Sequence, residues 1–176
     1  MPRIYAACLA SYNAGILHGA WIDVDKNTTC DLLREFIDEM LKASPTPNAE
    51  EYAIHDYDEF PSSLVNEWGE HPDLDAVCVA TEALTTYGEV FEAALQIEDS
   101  VTYALEMCEN GQYVGSSQRS PEDIVEDWLN DSGRFDGVDE LFKMYFDFEA
   151  YARDLRLGGE WSFVRLSGTH YAFSNV

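Results

Sequence analysis

Thr28-Thr29-Cys30-Asp31-Leu32-Leu33-Arg34-Glu35-Phe36-Ile37-Asp38-Glu39-Met40-Leu41-Lys42-Ala43 reads as one amphipathic helix. A threonine at 28 or 29 supplies the cap, and Leu32, Leu33, Phe36, Ile37, Met40 and Leu41 recur at helical spacing. Two strand-like stretches precede it, Arg3 to Ala10 and Ile16 to Val24, joined by a turn around Asn13-Ala14-Gly15. A linker, Ser44-Pro45-Thr46-Pro47-Asn48, and a returning strand, Glu51 to Asp56, follow it. Strands and one helix within 60 residues make an α+β unit, 1–60.

Working outward, residues 61–109 read as a cluster of short helices. Leu74, Val77, Cys78, Thr81 and Leu84 share one face; Val90, Phe91, Ala94 and Leu95 a second; Val101, Ala104, Leu105 and Cys108 a third. Residues 110–176 read as α+β again. A strand covers Gln112 to Gly115. Ser120-Pro121-Glu122-Asp123 opens a helix, with a cap, a proline at the first position and an acid at the third. A helical stretch from Val138 to Leu157 breaks near Phe146-Asp147. A closing hairpin uses Trp161 to Leu166 and Tyr171 to Ser174. The fold expectation is α+β in three small subdomains.

Charge says more about function than any motif. The chain has 34 acidic and 10 basic residues, a net charge of −24 over 176 residues. Residues 43–118 hold no lysine or arginine. At ordinary basic content, such a run has a chance of about one in ten thousand. Self-repulsion destabilises a compact state, so something other than stability favours the arrangement. Hydrophobic residues make up 46%, enough to build a core, so the acidity is not that of a disordered tail. Nucleic acid and anionic membranes are poor partners for this surface, and a basic protein is a good one.

Tests for chemistry mostly fail. Asp23-Val24-Asp25-Lys26-Asn27 begins like a calcium loop, but Thr28 stands where glycine is needed and Arg34 where a glutamate is needed. Asp56-Tyr57-Asp58 is a common triplet. His18, His55, His71 and His170 are scattered, with no zinc spacing. Cys8, Cys30, Cys78 and Cys108 form no CxxC pair and read as buried free thiols of a reducing cytoplasm. No nucleophile elbow, dinucleotide fingerprint or phosphate loop occurs. No catalytic residue, metal or cofactor is expected. Ile4 to Ala10 reads as a first strand rather than a signal peptide, and no apolar run reaches membrane length.

One constellation remains. Asp123, Asp127 and Asp131 stand at i,i+4 spacing on one helix, with Glu122 and Glu126 in a parallel row. Neighbours at that spacing lie about 5–6 Å apart at Cβ, which resembles successive phosphates on a nucleic-acid strand. Duplex DNA carries one charge per about 1.7 Å of axis, so 24 net charges match roughly a dozen base pairs. The acids expected to face outward are Glu67, Glu70, Asp73, Asp75, Glu82, Glu89, Glu92, Glu98, Asp99, Glu106, Glu109, Glu122, Asp123, Glu126, Asp127 and Asp131. On physics alone the surface fits a DNA mimic, an acidic chaperone or interaction protein for basic partners, or a carboxylate-dependent hydrolase.

Several segments resemble one family. They are Arg3-Ile4-Tyr5 with Tyr12-Asn13-Ala14-Gly15-Ile16-Leu17-His18-Gly19-Ala20-Trp21-Ile22-Asp23, then Glu51-Tyr52-Ala53-Ile54-His55-Asp56-Tyr57, and Phe146-Asp147-Phe148-Glu149-Ala150-Tyr151-Ala152-Arg153-Asp154-Leu155. Together they resemble the ArdA antirestriction family carried by plasmids and conjugative transposons. The resemblance implies an elongated homodimer of three small subdomains, shaped like a bent stretch of B-form DNA. Such a protein occupies the DNA-binding groove of type I restriction–modification enzymes, formed by methyltransferase and specificity subunits, and so protects incoming DNA. The family's C-terminal antirestriction motif falls around Ser120 to Gly133. For the dimer contact, residues 150–176 are the charge-poor choice, with Arg153, Arg156 and Arg165 against only Asp154 and Glu160. Tyr151, Arg153, Arg156, Trp161 and Phe163 are the expected interface residues.

Overall fold

The computed structural model describes residues 1–175. Among them are nine helices and six strands, the strands in two three-stranded antiparallel sheets, so the fold is α+β. By compactness the chain divides into a first unit, 1–86, and a second from 87 onward.

In the first unit β1 (Arg3–Cys8) is the middle strand, between β2 (Gly19–Asp23) and β3 (Tyr52–Asp58). Tyr5 stands opposite Trp21 on one side and Asp56 on the other. The helix expected from sequence is α2 (Cys30–Lys42). Thr29 caps it, its side-chain oxygen accepting the Leu32 N–H at 3.2 Å. Leu33, Ile37, Met40 and Leu41 are its buried stripe, and burying each such side chain is worth about 1.5–3 kcal/mol. Phe36 lies at the margin of that stripe and stays 38% exposed. Two further helices complete the unit, α3 (Ser62–Trp68) and most of α4 (Leu74–Tyr87).

Both N-terminal strands are shorter than their apolar runs. β1 stops at Cys8, and Leu9–Asn13 form a short helix, α1. The cause is Ser11, wholly buried, whose hydroxyl needs partners. It finds them in Ser44 Oγ at 2.8 Å and Thr46 Oγ1 at 2.9 Å. The proline-rich segment 44–48, a linker by composition, is thereby pinned to the first unit. β2 begins only at Gly19, where the backbone comes very close to β1. A Cβ there would stand 2.5 Å from the Ala6 carbonyl oxygen and 2.8 Å from the Tyr5 ring. Ile16 and Leu17 fall outside the strand and are exposed.

The second unit has the sheet order β4 (Tyr113–Ser117), β6 (Thr169–Ser174), β5 (Trp161–Leu166). α7 (Pro121–Asp131) and α9 (Phe148–Leu157) pack with it around Ile124, Val125, Leu129, Ala152, Leu155, Trp161 and Ala172. The break expected near Phe146-Asp147 separates α9 from α8 (Glu140–Met144), and Asp147 caps α9 by accepting the Ala150 N–H at 2.8 Å. α5 (Glu89–Ala94) and α6 (Val101–Glu109) pack on each other, and α5 meets β5 and β6. Phe91 is the largest fully buried side chain of that layer.

Candidate functional site

The acids expected to face outward come from both units. Glu67 and Glu70 lie at the end of α3 and just beyond it, Asp73 and Asp75 at the start of α4, and Glu82 further along α4. Glu89 and Glu92 lie on α5, Glu98 and Asp99 before α6, and Glu106 and Glu109 on α6. Glu122, Asp123, Glu126, Asp127 and Asp131 lie on α7. All are exposed except Glu92, Glu122 and Asp123, which are half-buried.

Exposure does not make every one of them available. The Cys30 thiol and, at 2.8 Å, Arg34 Nη2 donate to Asp75, and these bonds, the thiol's first, hold its carboxyl below the ordinary value. Asp73 accepts the Asp75 N–H at 3.0 Å, a turn that starts α4. Glu89 accepts the Tyr171 hydroxyl at 2.6 Å, and burial with that carboxylate pushes the phenol up to about 12. Glu92 is raised by burial first and by the neighbouring Glu89 charge second. Among the described residues, Glu67, Glu70, Glu82, Glu98, Asp99, Glu106, Glu109, Glu122, Glu126, Asp127 and Asp131 have no cationic side chain in ion-pair reach.

The row of aspartates on α7 needs a correction. Asp123 is its first member by spacing, but its side chain is only 17% exposed. Its Oδ2 accepts from Ser120 Oγ at 3.0 Å and Ser117 Oγ at 3.2 Å, and Arg119 pairs with Oδ1 at 3.1 Å. Ser120 in turn accepts the Asp123 N–H at 3.4 Å. Asp123 is thus the acid of a reciprocal cap and closes the start of the helix. The outward rows reduce to Asp127 with Asp131 and Glu122 with Glu126.

The expected interface residues also separate. Arg153 and Arg156 are exposed, and Arg153 meets Asp154 at 3.3 Å. Tyr151 and Phe163 are half-buried against the core of the second unit. Trp161 is 4% exposed and stands edge-on to Trp128 at 4.9 Å between centroids, so it is a core residue with no surface to offer. The sequence reading missed the apolar surface on and beside α8. Leu141, Phe142, Met144 and Tyr145 are 57%, 71%, 69% and 78% exposed. A five-residue helix with three apolar positions, a tyrosine at its C-cap and no buried residue is the signal that marks it. Phe146 joins this surface to Tyr151, with ring centroids 5.6 Å apart.

Among the described residues no three His, Cys, Asp or Glu side chains are placed to hold a metal. His18 is packed, its Nε2 2.7 Å from the Met40 carbonyl oxygen. All four cysteines are free; Cys8 is buried, whereas Cys30, Cys78 and Cys108 are half-buried rather than buried as expected. Burial pushes the Cys78 thiol up to about 12 and the Cys108 thiol up to about 11. Among the described residues no helix is long and apolar enough to cross a membrane.

Comparison with curated proteins finds no match. Comparison with protein families matches residues 4–168 to the family described as antirestriction protein (ArdA), a span that runs through both units. An acid-covered α+β chain matched over almost its whole length thus belongs to the ArdA antirestriction family, and its function is antirestriction.

Proposed function

We propose that this chain is a DNA mimic that occupies the DNA-binding groove of a type I restriction–modification enzyme, meeting its methyltransferase and specificity subunits. The observation that carries the reading is the set of exposed carboxylates on both units with no cationic neighbour among the described residues. An ordinary surface pairs its acids with lysine or arginine, since like charges at i,i+4 cost about 0.2–0.5 kcal/mol each. Here Glu122 with Glu126 and Asp127 with Asp131 keep that repulsion. Lysines and arginines that bind DNA phosphates would relieve it. Phosphate contacts set register while base edges set sequence. A mimic of phosphates alone therefore inhibits enzymes of many sequence specificities.

We further propose that the chain works as a homodimer joined through its second unit. Two surfaces of net charge −24 repel, and the segment 134–165 holds Arg134, Lys143, Arg153, Arg156 and Arg165, half of the chain's ten basic residues. The exposed apolar side chains of α8 lie in the same segment and continue to Tyr151 through Phe146. Tyr151, Arg153, Arg156 and Phe163 remain interface candidates, and Leu141, Phe142, Met144 and Tyr145 join them.

The test is competition between this protein and a labelled DNA duplex for a purified type I methyltransferase, at several salt concentrations. The protein displaces the duplex, and both complexes weaken as salt rises. Duplex DNA loses more, because it alone gives up condensed counterions on binding, whereas carboxylates on a folded surface are merely screened. A mimic-to-DNA affinity ratio that falls with salt counts against this reading. Equal binding to histones or random basic peptides would favour a chaperone for basic proteins instead.

A further inference from the structure

β2 is an edge strand, with β1 as its single sheet neighbour. Among the described residues no hydrogen bond reaches its outer edge, whereas β3 at the other side uses the Ile54 N–H to bond the Glu70 carbonyl oxygen at 2.8 Å. Proteins protect such edges with lysine, proline or a bulge. β2 reads Gly-Ala-Trp-Ile-Asp and pairs with β1 without a register shift, so it has none of these.

A cleft of about 420 Å³ lies along this strand. Its lining includes the four consecutive residues Ala20, Trp21, Ile22 and Asp23, with Phe36, Glu39 and Met40 from α2. Successive side chains of a strand point to opposite faces. A cleft touching all four must therefore run along the edge, with α2 as its second wall. Trp21 is 42% and Phe36 38% exposed, and both acids are exposed. Among the described residues neither Asp23 nor Glu39 has an ion-pair partner. The Trp21 ring already carries one guanidinium, that of Arg3, at 4.8 Å from its centroid.

We infer that the free edge of β2 takes an extended, basic segment of a partner protein as a fourth strand of the first sheet. Its main chain pairs with the outward N–H and C=O groups of Gly19–Asp23. Its basic side chains fall on the face of Trp21 and Asp23, and the alternate, apolar ones fall against Phe36 and Met40, with Glu39 at the rim. A second copy of this chain is the poorer occupant, because β2 against β2 would bring Asp23 and Glu39 of both copies together without a counter-charge. Nucleic acid cannot add a strand, so this contact is independent of DNA mimicry and stands or falls separately.

The probe is an end-blocked octapeptide alternating arginine and valine. One control alternates glutamate and valine. A second keeps the arginines but is N-methylated at every other amide, made in both phases. Amide exchange by NMR and tryptophan fluorescence read the binding. We expect protection confined to the β2 edge, no binding of the glutamate peptide, and at least ten-fold weaker binding in one N-methylated phase. Phe36→Ala and Asp23→Asn, both at exposed positions, each weaken it several-fold. Equal binding of both N-methylated peptides would show charge attraction alone and overturn the proposal. So would protection elsewhere, unchanged binding by both variants, or concentration-dependent protection of β2 without peptide. Inhibition of a type I enzyme is measured beside it, and its presence or absence leaves this result unchanged.

Discussion

Asp123 and its neighbours on α7 allow stability and inhibition to be separated within a single helix. Consider first the joint change Glu122→Gln, Glu126→Gln, Asp127→Asn and Asp131→Asn. Among the described residues none of the four has an ion-pair partner, and all but the half-buried Glu122 are exposed. An exposed pair with an enzyme lysine or arginine is worth about 0.2–1 kcal/mol. Four together give about 1–4 kcal/mol, or roughly five-fold to several hundred-fold in Kd. The fold should not suffer, since two i,i+4 repulsions of about 0.2–0.5 kcal/mol disappear. Loss of the Glu122 charge from the first turn costs about as much, roughly 0.3–1 kcal/mol. Now consider Asp123→Asn alone. The variant weakens two hydroxyl bonds to a charged acceptor and the Arg119 pair at a mostly buried cap. Such a cap is worth about 0.5–2 kcal/mol of stability. The joint variant should therefore inhibit poorly and melt normally, while Asp123→Asn melts early and inhibits normally at a temperature where it is folded. Competition against labelled DNA on a type I methyltransferase, with thermal unfolding by circular dichroism, reads both. If the joint variant inhibits as well as the parent, or Asp123→Asn loses as much inhibition as the joint variant while folded, the phosphate-row reasoning is wrong.

Three further outcomes follow from the same geometry. Burial and the Glu89 charge raise the Glu92 carboxyl in the folded state from its ordinary 4.5. Its ionised form thus destabilises the fold at neutral pH, and the penalty vanishes below about 4.5, where both states are protonated. Glu92→Gln should accordingly raise the melting temperature at pH 7 and leave it unchanged at pH 4, and a gain of equal size at both would refute the assignment. Leu141→Asp with Phe142→Asp should convert the proposed dimer to a folded monomer in light scattering, since both side chains are more than half exposed; a dimer that persists in the variant moves the interface away from α8. Trp161→Ala should cost about 3–5 kcal/mol in denaturant unfolding, as expected for a buried indole at the centre of a core, and a loss below 1 kcal/mol would contradict its burial.

Local signals carry little dependence on the rest of the chain, and these the sequence determines alone. A cap at Thr28 or Thr29 and the apolar stripe through Leu33, Ile37, Met40 and Leu41 place α2, and the structure settles the cap on Thr29. Ser120-Pro121 places the start of α7, and Asp147 the break before α9. Net charge and the basic-free run are properties of composition, so the acidic surface was legible before any fold, as was the family from its quoted segments. Tertiary structure decided what depends on residues far apart in the chain. Ser11 ends β1 early because Ser44 and Thr46, more than 30 residues on, satisfy its buried hydroxyl. Trp161 is core rather than surface because Trp128 folds against it. The helices between 61 and 109 went to different units, α3 with most of α4 to one and α5 with α6 to the other, by packing that no single helix encodes. The same holds for the acids. Spacing puts Asp123, Asp127 and Asp131 on one face, but only the approach of β4 shows that Ser117 reaches Asp123 and takes it out of the row. A charge is counted from sequence, whereas its availability depends on which donors the fold brings within about 3 Å of it.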